Sequence, residues 1–233
     1  PYQIYAREEL YSMAMAYCTK IAVGSSWVKE DIISNYTIHN EKIQVIPCAA
    51  PVSMENNISN KELSEIKLLY DLPEKFIYYP AMTWEHKNHI RLLKALKYIY
   101  EKDNITINLV CTGNKVESYW PVIQQELENL NLINQVKFLG LIPFKHVKAV
   151  YQLSDFVIVP TLFEAESGPV FEAWNERKAV VCSNVTSLPE QVDDAALLVN
   201  PYSVEEIANA IRKLYLDKDL QSIMIQKGEK RSI

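Results

Sequence analysis

The sequence predicts an α/β protein with a Rossmann-like, doubly wound parallel sheet. From residue 61 to residue 215, short apolar runs alternate with helical patterns. The apolar runs are apolar on both faces, as expected for strands covered by helices on both sides of a parallel sheet. The chain has 233 residues, of which 48% are hydrophobic. This length accommodates roughly one large domain or two small ones.

The first fifty residues contain too few elements to form a complete core. Helical patterns at residues 7–20 and 26–34 alternate with strand-like runs at 21–24 and 42–47. Ser25 or Ser26 is suited to cap the second helix. Residues 48–60 are rich in Pro, Ser and Asn, which is typical of a linker. We therefore predict an incomplete domain at residues 1–50 and a complete one at residues 51–233. Because a helical pattern follows Pro1 directly, we expect a fragment or a processed piece of a longer protein.

The second domain shows the strict alternation that predicts a parallel sheet. Pro143 and Pro169 suit first helical turns, and Ser203 with Glu206 has the spacing of a capping box. The helix at 88–101 carries apolar residues on one face. The predicted strands are residues 76–80, 105–111, 136–140, 156–159, 179–182 and 195–199. The predicted helices are residues 61–70, 88–101, 117–130, 143–153, the stretch from Pro169 onward, and 203–215.

Charge, hydropathy and cysteine content exclude several classes of function. The net charge is −5, which argues against a nucleic-acid partner because such a partner favours a basic face. No apolar run approaches the roughly 20 residues that span a bilayer. None of the cysteines forms a C-x-x-C pair, so we expect buried, reduced thiols and a cytoplasmic location.

The most informative stretch is the loop at residues 160–168, between a strand and a helix. Ser167 and Gly168 occupy the cap position ahead of Pro169. The amides and the dipole at such a helix start bind anions, above all phosphate. Glu164 and Glu172 stand eight residues apart on either side. The loop thus offers amides to a phosphate and carboxylates to hydroxyl groups, although a loop acid and a dipole-favoured helix acid are the plain alternatives.

Three further loops follow strands at the same predicted sheet edge. The first holds Lys87 and Asn88, flanked by His86 and His89. The two histidines are spaced for a metal, but no nearby acid or cysteine completes a set, so we expect no metal site. The other two loops contain Gly113, Asn114 and Lys115, and Gly140, Leu141 and Ile142. Glycine suits a close approach of backbone to ligand, and plain turns are the equal alternative for both.

Five segments of this chain, in order, resemble the retaining glycosyltransferases of the GT-B fold, family 4, also called group 1. The loop described above matches their E-x7-E signature through Glu164 and Glu172. One such motif alone is weak, whereas the ordered set covers nearly the whole chain. The segments are residues 23–27, 43–47, 163–173, 179–190 and 194–201.

The resemblance implies a role for each candidate residue. Glu164 is expected to contact the donor sugar, and Glu172 the ribose hydroxyls of the nucleotide. Lys87 matches a lysine that contacts the diphosphate, while Met82 stands where the family usually has an arginine. Lys87 and Glu164 are therefore the candidate catalytic residues. The candidate donor-binding residues are Glu172, Ser167, Gly168, Pro169, Val170, Asn88, Gly113, Asn114, Lys115, Leu141 and Ile142.

The resemblance further implies the C-terminal half of a GT-B fold with a partial N-terminal, acceptor-side domain. The expected reaction is transfer of a hexose from a nucleotide-diphosphate sugar, without a metal and with retention, in polysaccharide or glycoconjugate synthesis. Expected acceptors are a sugar, a lipid-linked sugar or a protein. Peripheral contact with the inner face of a membrane is expected only through the missing part of the N-terminal domain. A non-catalytic nucleotide-sugar-binding module and a GT-B sugar-nucleotide epimerase are the alternatives. We expect the chain alone to bind donor but to transfer poorly.

Overall fold

A computed structural model describes residues 2–47 and 58–232, which fall into two compact units, residues 1–49 and 50–233. The predicted linker at residues 48–60 lies mostly outside the described residues. In the first unit, β1 (Ile21–Val23) and β2 (Ile43–Val45) pair in parallel. They alternate with α1 (Tyr2–Tyr17) and α2 (Ser26–Asn35). Ser25 caps α2 by accepting a hydrogen bond from the amide of Val28 at 3.2 Å.

The second unit holds a six-stranded sheet in which every paired strand is parallel. Its strands are β3 (Ile77–Pro80), β4 (Leu109–Thr112), β5 (Val136–Phe138), β6 (Val157–Val159), β7 (Val180–Ser183) and β8 (Leu197–Val199). The connecting helices are α3 (Asn60–Leu69), α4 (His89–Asp103), α5 (Trp120–Asn129), α6 (Phe144–Leu153), α7 (Gly168–Asn175), α8 (Leu188–Val192), α9 (Val204–Leu216) and α10 (Lys218–Arg231).

The strand order β5-β4-β3-β6-β7-β8 makes the sheet doubly wound. From β3 the chain moves outward through β4 to β5, and then returns to the centre at β6 and moves outward on the other side. The direction of winding therefore reverses between β3 and β6, which are neighbours with Tyr78 opposite Val157. In doubly wound sheets, ligands bind at such a switch point, outside the carboxyl ends of the strands. The predicted fold class is confirmed, and the topology selects the crevice between the loops after β3 and β6.

The sheet is buried because helices cover both of its faces. The central strands β3, β6 and β7 consist almost entirely of residues with no more than 2% exposure. On one face α4 packs against α5 and α9. On the other face α6 and α7 are joined by the Lys148–Glu176 ion pair at 3.5 Å and by a hydrogen bond from Gln152 to Glu176 at 2.7 Å. Burial of apolar surface on both sides is the main source of stability in this architecture.

The structure corrects several local predictions. Ser203 does cap α9, but the Glu206 carboxylate accepts from the amide of Asn200, so the predicted capping box is half formed. A complete capping box forms at Ser59 and Glu62, at the edge of the predicted linker. Pro143 precedes α6 as its N-cap, with ψ at 145°, and does not occupy the first turn. The short helix α8 and the final helix α10 were not predicted at all.

The cysteines that the structure describes are free thiols. Cys111 in β4 and Cys182 in β7 are buried, as predicted, whereas Cys18 is only partly buried. Burial raises the pKa of Cys182 to about 12 and raises that of Cys111 as well, so both thiols stay protonated. Within residues 2–47 and 58–232, none of the helices has the length and apolar character needed to cross a membrane.

Candidate functional site

An ion pair joins the two central loops across the switch point of the sheet. The ammonium of Lys87, in the loop after β3, lies 2.5 Å from a carboxylate oxygen of Glu164, in the loop after β6. Their side chains are 20% and 16% exposed, respectively. The pair is therefore partly shielded from water while it remains open to the crevice. The structure thus brings together the two residues that the sequence predicts to be catalytic.

Backbone contacts fix the position of Lys87. The phenol of Tyr79, at the end of β3, donates to the carbonyl of Lys87 at 2.7 Å. The carbonyl of His86 accepts from the amide of Leu162 at 2.7 Å and from the hydroxyl of Thr161 at 3.1 Å. These bonds connect the loop after β3 to the loop after β6 at its base. The ammonium of Lys87 therefore projects from an anchored backbone.

Asn88 ties three loops together at this edge. It adopts a left-handed conformation, with φ at 62°, and is 3% exposed. Its side-chain amide donates to the carbonyls of Pro160 and Pro201, both at 2.8 Å, and its oxygen accepts from Arg91 at 3.0 Å. Both of its amide hydrogens are therefore committed within the protein. The predicted contact of Asn88 with donor stays a prediction, and its evident task is to hold the loops.

Glu172, the second acid of the motif, lies one turn into α7 and is held by Tyr151 of α6. The phenol donates to Oε2 of Glu172 at 2.6 Å, which leaves Oε1 without a bond to that phenol. Tyr151 is 1% exposed, and burial together with the charge of Glu172 raises its pKa well above its usual value. Tyr151 thus stays neutral and acts as a hydrogen-bond donor, which fixes the rotamer of the carboxylate.

The N-terminus of α7 starts at Gly168, directly after the motif loop. Ser167 occupies the N-cap position, but its hydroxyl makes no cap hydrogen bond. Among the described residues this buried hydroxyl has no hydrogen-bond partner. A Cβ added at Gly168 would meet no described atom within 4 Å. Pro169 lies in the first turn, and Val170 is fully buried in the core and anchors the helix start. Gly168 itself is exposed to solvent.

The loops after β4 and β5 pack against their neighbours. Gly113 has φ at 118°, and its amide donates to the carbonyl of Gly140 at 2.9 Å. The carbonyl of Asn114 accepts from the amide of Thr83 at 3.0 Å, and the ammonium of Lys115 lies 4.5 Å from the ring centroid of Trp120.

Beyond these two turns, the chain presents apolar surface at the same edge. Leu141 is 77% exposed, whereas Ile142 packs in part against the core. The structure therefore places the predicted residues of both loops at the carboxyl edge of the sheet, and their contact with a donor stays a prediction.

Among the described residues, His86 and His89, which flank Lys87, belong to no cluster of metal-ligating side chains. The ring of His89 is 1% exposed and lies between Tyr79 and Phe138, with ring centroids 4.9 and 5.7 Å away. Burial, together with the charge of Lys87, lowers the pKa of His89 to about 3, so the ring is neutral. In the part of the chain that the structure describes, no group of three His, Cys, Asp or Glu side chains is arranged to hold a metal ion.

Comparison with known proteins identifies the family. The family model described as "Glycosyl transferases group 1" matches residues 59–231, about three quarters of the chain. The chain belongs to the group 1 glycosyltransferases. It is 27% identical over 207 residues to the O-antigen chain mannosyltransferase RfbU of Salmonella typhimurium, covering 88% of this chain and 53% of that protein. It is 30% identical over 149 residues to the O-antigen chain mannosyltransferase B of Escherichia coli, covering 63% and 38%.

Solved glycosyltransferase structures share the fold. A glycosyltransferase from Rickettsia africae superposes with a TM-score of 0.82 at 22% identity, over 92% of this chain and 58% of that one. Anabaena Alr3699/HepE, solved in complex with UDP and glucose, superposes with a TM-score of 0.83 at 18% identity, over 94% and 59%. This chain therefore spans between 38% and 59% of the length of these four proteins.

The structure also shows contacts at the candidate site that the sequence analysis does not predict. Tyr151 holds Glu172, and a segment comprising Thr186, Ser187 and Gln191 holds the motif loop. These residues lie between 21 and 24 positions from the residues they contact. No local pattern signals them, and only the fold brings them to the site.

Proposed function

We propose that this chain is the donor-binding part of a retaining hexosyltransferase that uses a nucleotide-diphosphate sugar. The observation that carries the proposal is the Lys87–Glu164 pair at the switch point, beside the open start of α7. A cation and helix amides suit a diphosphate, while two carboxylates suit sugar hydroxyls. The family match supports this proposal, as does the structure of Alr3699/HepE with UDP and glucose.

Each element of the site has a distinct task in the proposed complex. Glu172, with Oε2 held by Tyr151, presents Oε1 to the ribose hydroxyls. Glu164 contacts the sugar, and Lys87 with the α7 amides contacts the diphosphate. Leu141, exposed after β5, lies at the edge where the base is expected.

In the proposed reaction the bond between the anomeric carbon and the diphosphate oxygen breaks as the acceptor hydroxyl attacks from the same face. The new glycosidic bond forms to the hydroxyl oxygen, and the proton of that hydroxyl passes to the leaving diphosphate. Negative charge grows on the leaving diphosphate, and Lys87 and the positive end of α7 stabilise it. Fixed cationic groups aimed at a developing charge commonly make the largest contribution to catalysis. We propose that these groups do the work of a metal, with Met82 in place of the usual arginine.

The acceptor side is proposed to lie mainly outside this chain. Residues 1–50 would then be the end of the acceptor-side domain, and the acceptor a sugar, a lipid-linked sugar or a protein. Both mannosyltransferase relatives are named for O-antigen chains, which favours a role in polysaccharide synthesis. We expect the 233-residue chain to bind donor but to transfer poorly. Full turnover by the purified chain, measured as release of nucleoside diphosphate, would contradict this expectation.

Calorimetric titration with UDP- and GDP-linked sugars tests the donor site directly. We expect one of these donors to bind, and Glu172→Ala to weaken that binding about 10- to 100-fold. The reason is that hydrogen bonds to a charged acceptor contribute about 1.5–3 kcal/mol. Glu166→Ala, which removes another acid of the same loop, serves as the matched control and should bind like the wild type.

Two outcomes would count against this function. Absence of binding by every UDP- and GDP-linked sugar would reject the donor site. Binding without release of nucleoside diphosphate in the full-length protein would favour a non-catalytic module, and interconversion of epimeric donors would favour an epimerase.

A further inference from the structure

We propose that Gln191 is a positioning residue of the donor site, which fixes the start of α7 by gripping the backbone of Ser167. This inference rests on the proposed function, because it assigns Gln191 a task in holding the groups that receive the donor. Gln191 lies on α8, a short helix that follows β7, whereas the switch point lies between β3 and β6.

Both polar atoms of the Gln191 carboxamide form hydrogen bonds with the backbone of Ser167. Its oxygen accepts from the amide of Ser167 at 2.9 Å, and its nitrogen donates to the carbonyl of the same residue, also at 2.9 Å. A planar carboxamide that both donates and accepts pairs with one residue of backbone as a neighbouring strand would. Glutamine is suited to this role because it offers a donor and an acceptor side by side. The contact therefore fixes the orientation of the backbone as well as its position.

A second set of contacts from the same segment holds the other end of the loop. The hydroxyl of Ser187 donates to the carbonyl of Glu164 at 2.9 Å. The amide of Glu164 donates to the hydroxyl of Thr186 at 3.2 Å. Thr186 has φ at 53°, a conformation that a β-branched residue rarely adopts. We call Thr186, Ser187 and Gln191 the α8 clamp, because together they grip the loop from Glu164 to Ser167.

The α8 clamp is itself firmly anchored. Leu188 and Val192 of α8 are fully buried in the core. The guanidinium of Arg231, at the end of α10, donates to the carbonyls of Glu190 and Gln191 at 2.8 and 3.1 Å. An anchored clamp can transmit rigidity to the loop, whereas a loose one would move with it.

The packing of α7 separates positioning from folding. Val170, Ala173 and Trp174 bury the body of α7 in the core, with no more than 1% exposure. Loss of the Gln191 contact should therefore leave α7 folded while its first turn and the preceding loop gain freedom. Misplacement of a binding or reacting group by about 1 Å can reduce a rate by about 100-fold. A donor that contacts Glu164 and the α7 amides together would sense such a displacement.

The test compares Gln191→Met, which keeps the length of the side chain but removes both hydrogen bonds, with Gln221→Met. Gln221 donates to the carbonyl of Leu214 at 2.7 Å, and its oxygen accepts from Lys218, which pairs with Asp155 before β6. It therefore lies at the amino edge, opposite the site. We expect Gln191→Met to weaken nucleotide-sugar binding about tenfold in calorimetry. We expect Gln221→Met to bind like the wild type.

Hydrogen exchange and a conservative variant distinguish positioning from general destabilisation. In ligand-free protein, amides of residues 163–168 should exchange at least several-fold faster in Gln191→Met than in the wild type or Gln221→Met. Gln191→Glu retains an acceptor for the Ser167 amide, so its affinity should fall between those of the wild type and Gln191→Met. If Gln191→Met fails to fold, Gln191→Glu carries the test, with an expected loss of about threefold.

The outcomes separate this inference from the proposed function. If the wild type binds no nucleotide sugar, both are overturned. If the wild type binds and the Gln191 variants bind equally well, only the positioning role of Gln191 is overturned. Equal losses in Gln191→Met and Gln221→Met would also overturn it, because the effect would then be global.

Discussion

Glu164→Gln is expected to strengthen the binding of a free nucleoside diphosphate by about tenfold, whereas Lys87→Met should weaken it about 100-fold. In the ligand-free protein the ammonium of Lys87 is held by Glu164 at 2.5 Å. A diphosphate competes with that carboxylate for the same cation and also experiences its negative charge. The neutral carboxamide introduced by Glu164→Gln removes both obstacles, while loss of Lys87 removes the attraction itself. Calorimetric titration with UDP and GDP measures both changes.

Glu164→Gln should strengthen binding of the nucleoside diphosphate but lower the stability of the ligand-free protein. Because both side chains are at most 20% exposed, removing Glu164 leaves a partly buried charge without its partner. We expect the free energy of unfolding to fall by about 1–3 kcal/mol, below the roughly 3–5 kcal/mol typical of fully buried pairs. Saturating nucleoside diphosphate should restore the loss, since a ligand stabilises the state it binds.

An exposed ion pair provides the control for this prediction. Asp194 pairs with Lys227 at 2.6 Å, but their side chains are 69% and 37% exposed. Asp194→Asn should therefore change neither affinity nor stability measurably. In the proposed transfer reaction, the rate of sugar transfer should fall in both Glu164→Gln and Lys87→Met. Weaker binding of nucleoside diphosphate by Glu164→Gln would show that Glu164 does not compete with the diphosphate for Lys87.

The sheet could be predicted from the sequence because its strands are buried on both faces. Runs such as that of β6 are uninterrupted by polar residues, and the helices between them carry clear apolar faces. Helix α10 lacked such a signal, since it is largely polar and contains Gly228. That glycine is required by packing, because a Cβ there would lie 2.2 Å from the ring of Trp174. Such a requirement is visible only once α7 and α10 meet.

The candidate site also contains residues that the sequence could locate and contacts that only the fold creates. The loops that hold Lys87, Glu164 and Glu172 could be located because they join strands to helices, and the resemblance to the group 1 glycosyltransferases then implied a role for each residue. The contacts that hold them could not be predicted, because Tyr151 and Gln191 reach the motif from separate helices. Asn88 shows the difference most clearly. Its sequence neighbours suggest a phosphate contact, whereas its side-chain amide donates hydrogen bonds to the carbonyls of Pro160 and Pro201. Motifs identify groups that face a ligand, whereas tertiary contacts decide how rigidly those groups are held.

Gly168→Ala is expected to weaken nucleotide-sugar binding at least tenfold without loss of stability. No described atom lies within 4 Å of a Cβ placed there, and Gly168 is already helical. Alanine should therefore leave the free energy of unfolding unchanged or raise it by about 0.5–1 kcal/mol, as Gly-to-Ala changes in helices do. A diphosphate that approaches the α7 amides, however, would collide with the added methyl group. Calorimetry and thermal unfolding of the same samples measure the two quantities.

Gly113→Ala provides the contrast that makes this prediction specific. Gly113 has φ at 118°, and a Cβ there would lie 2.7 Å from backbone atoms of Ala81 and Met82. Steric overlap and backbone strain should together lower the free energy of unfolding by about 2–4 kcal/mol. If ligand contact is what requires glycine at position 168, Gly168→Ala should lose affinity but keep its stability. Gly113→Ala should lose both affinity and stability. Wild-type affinity in Gly168→Ala would mean that the donor does not approach the start of α7, and that Lys87 alone holds the diphosphate.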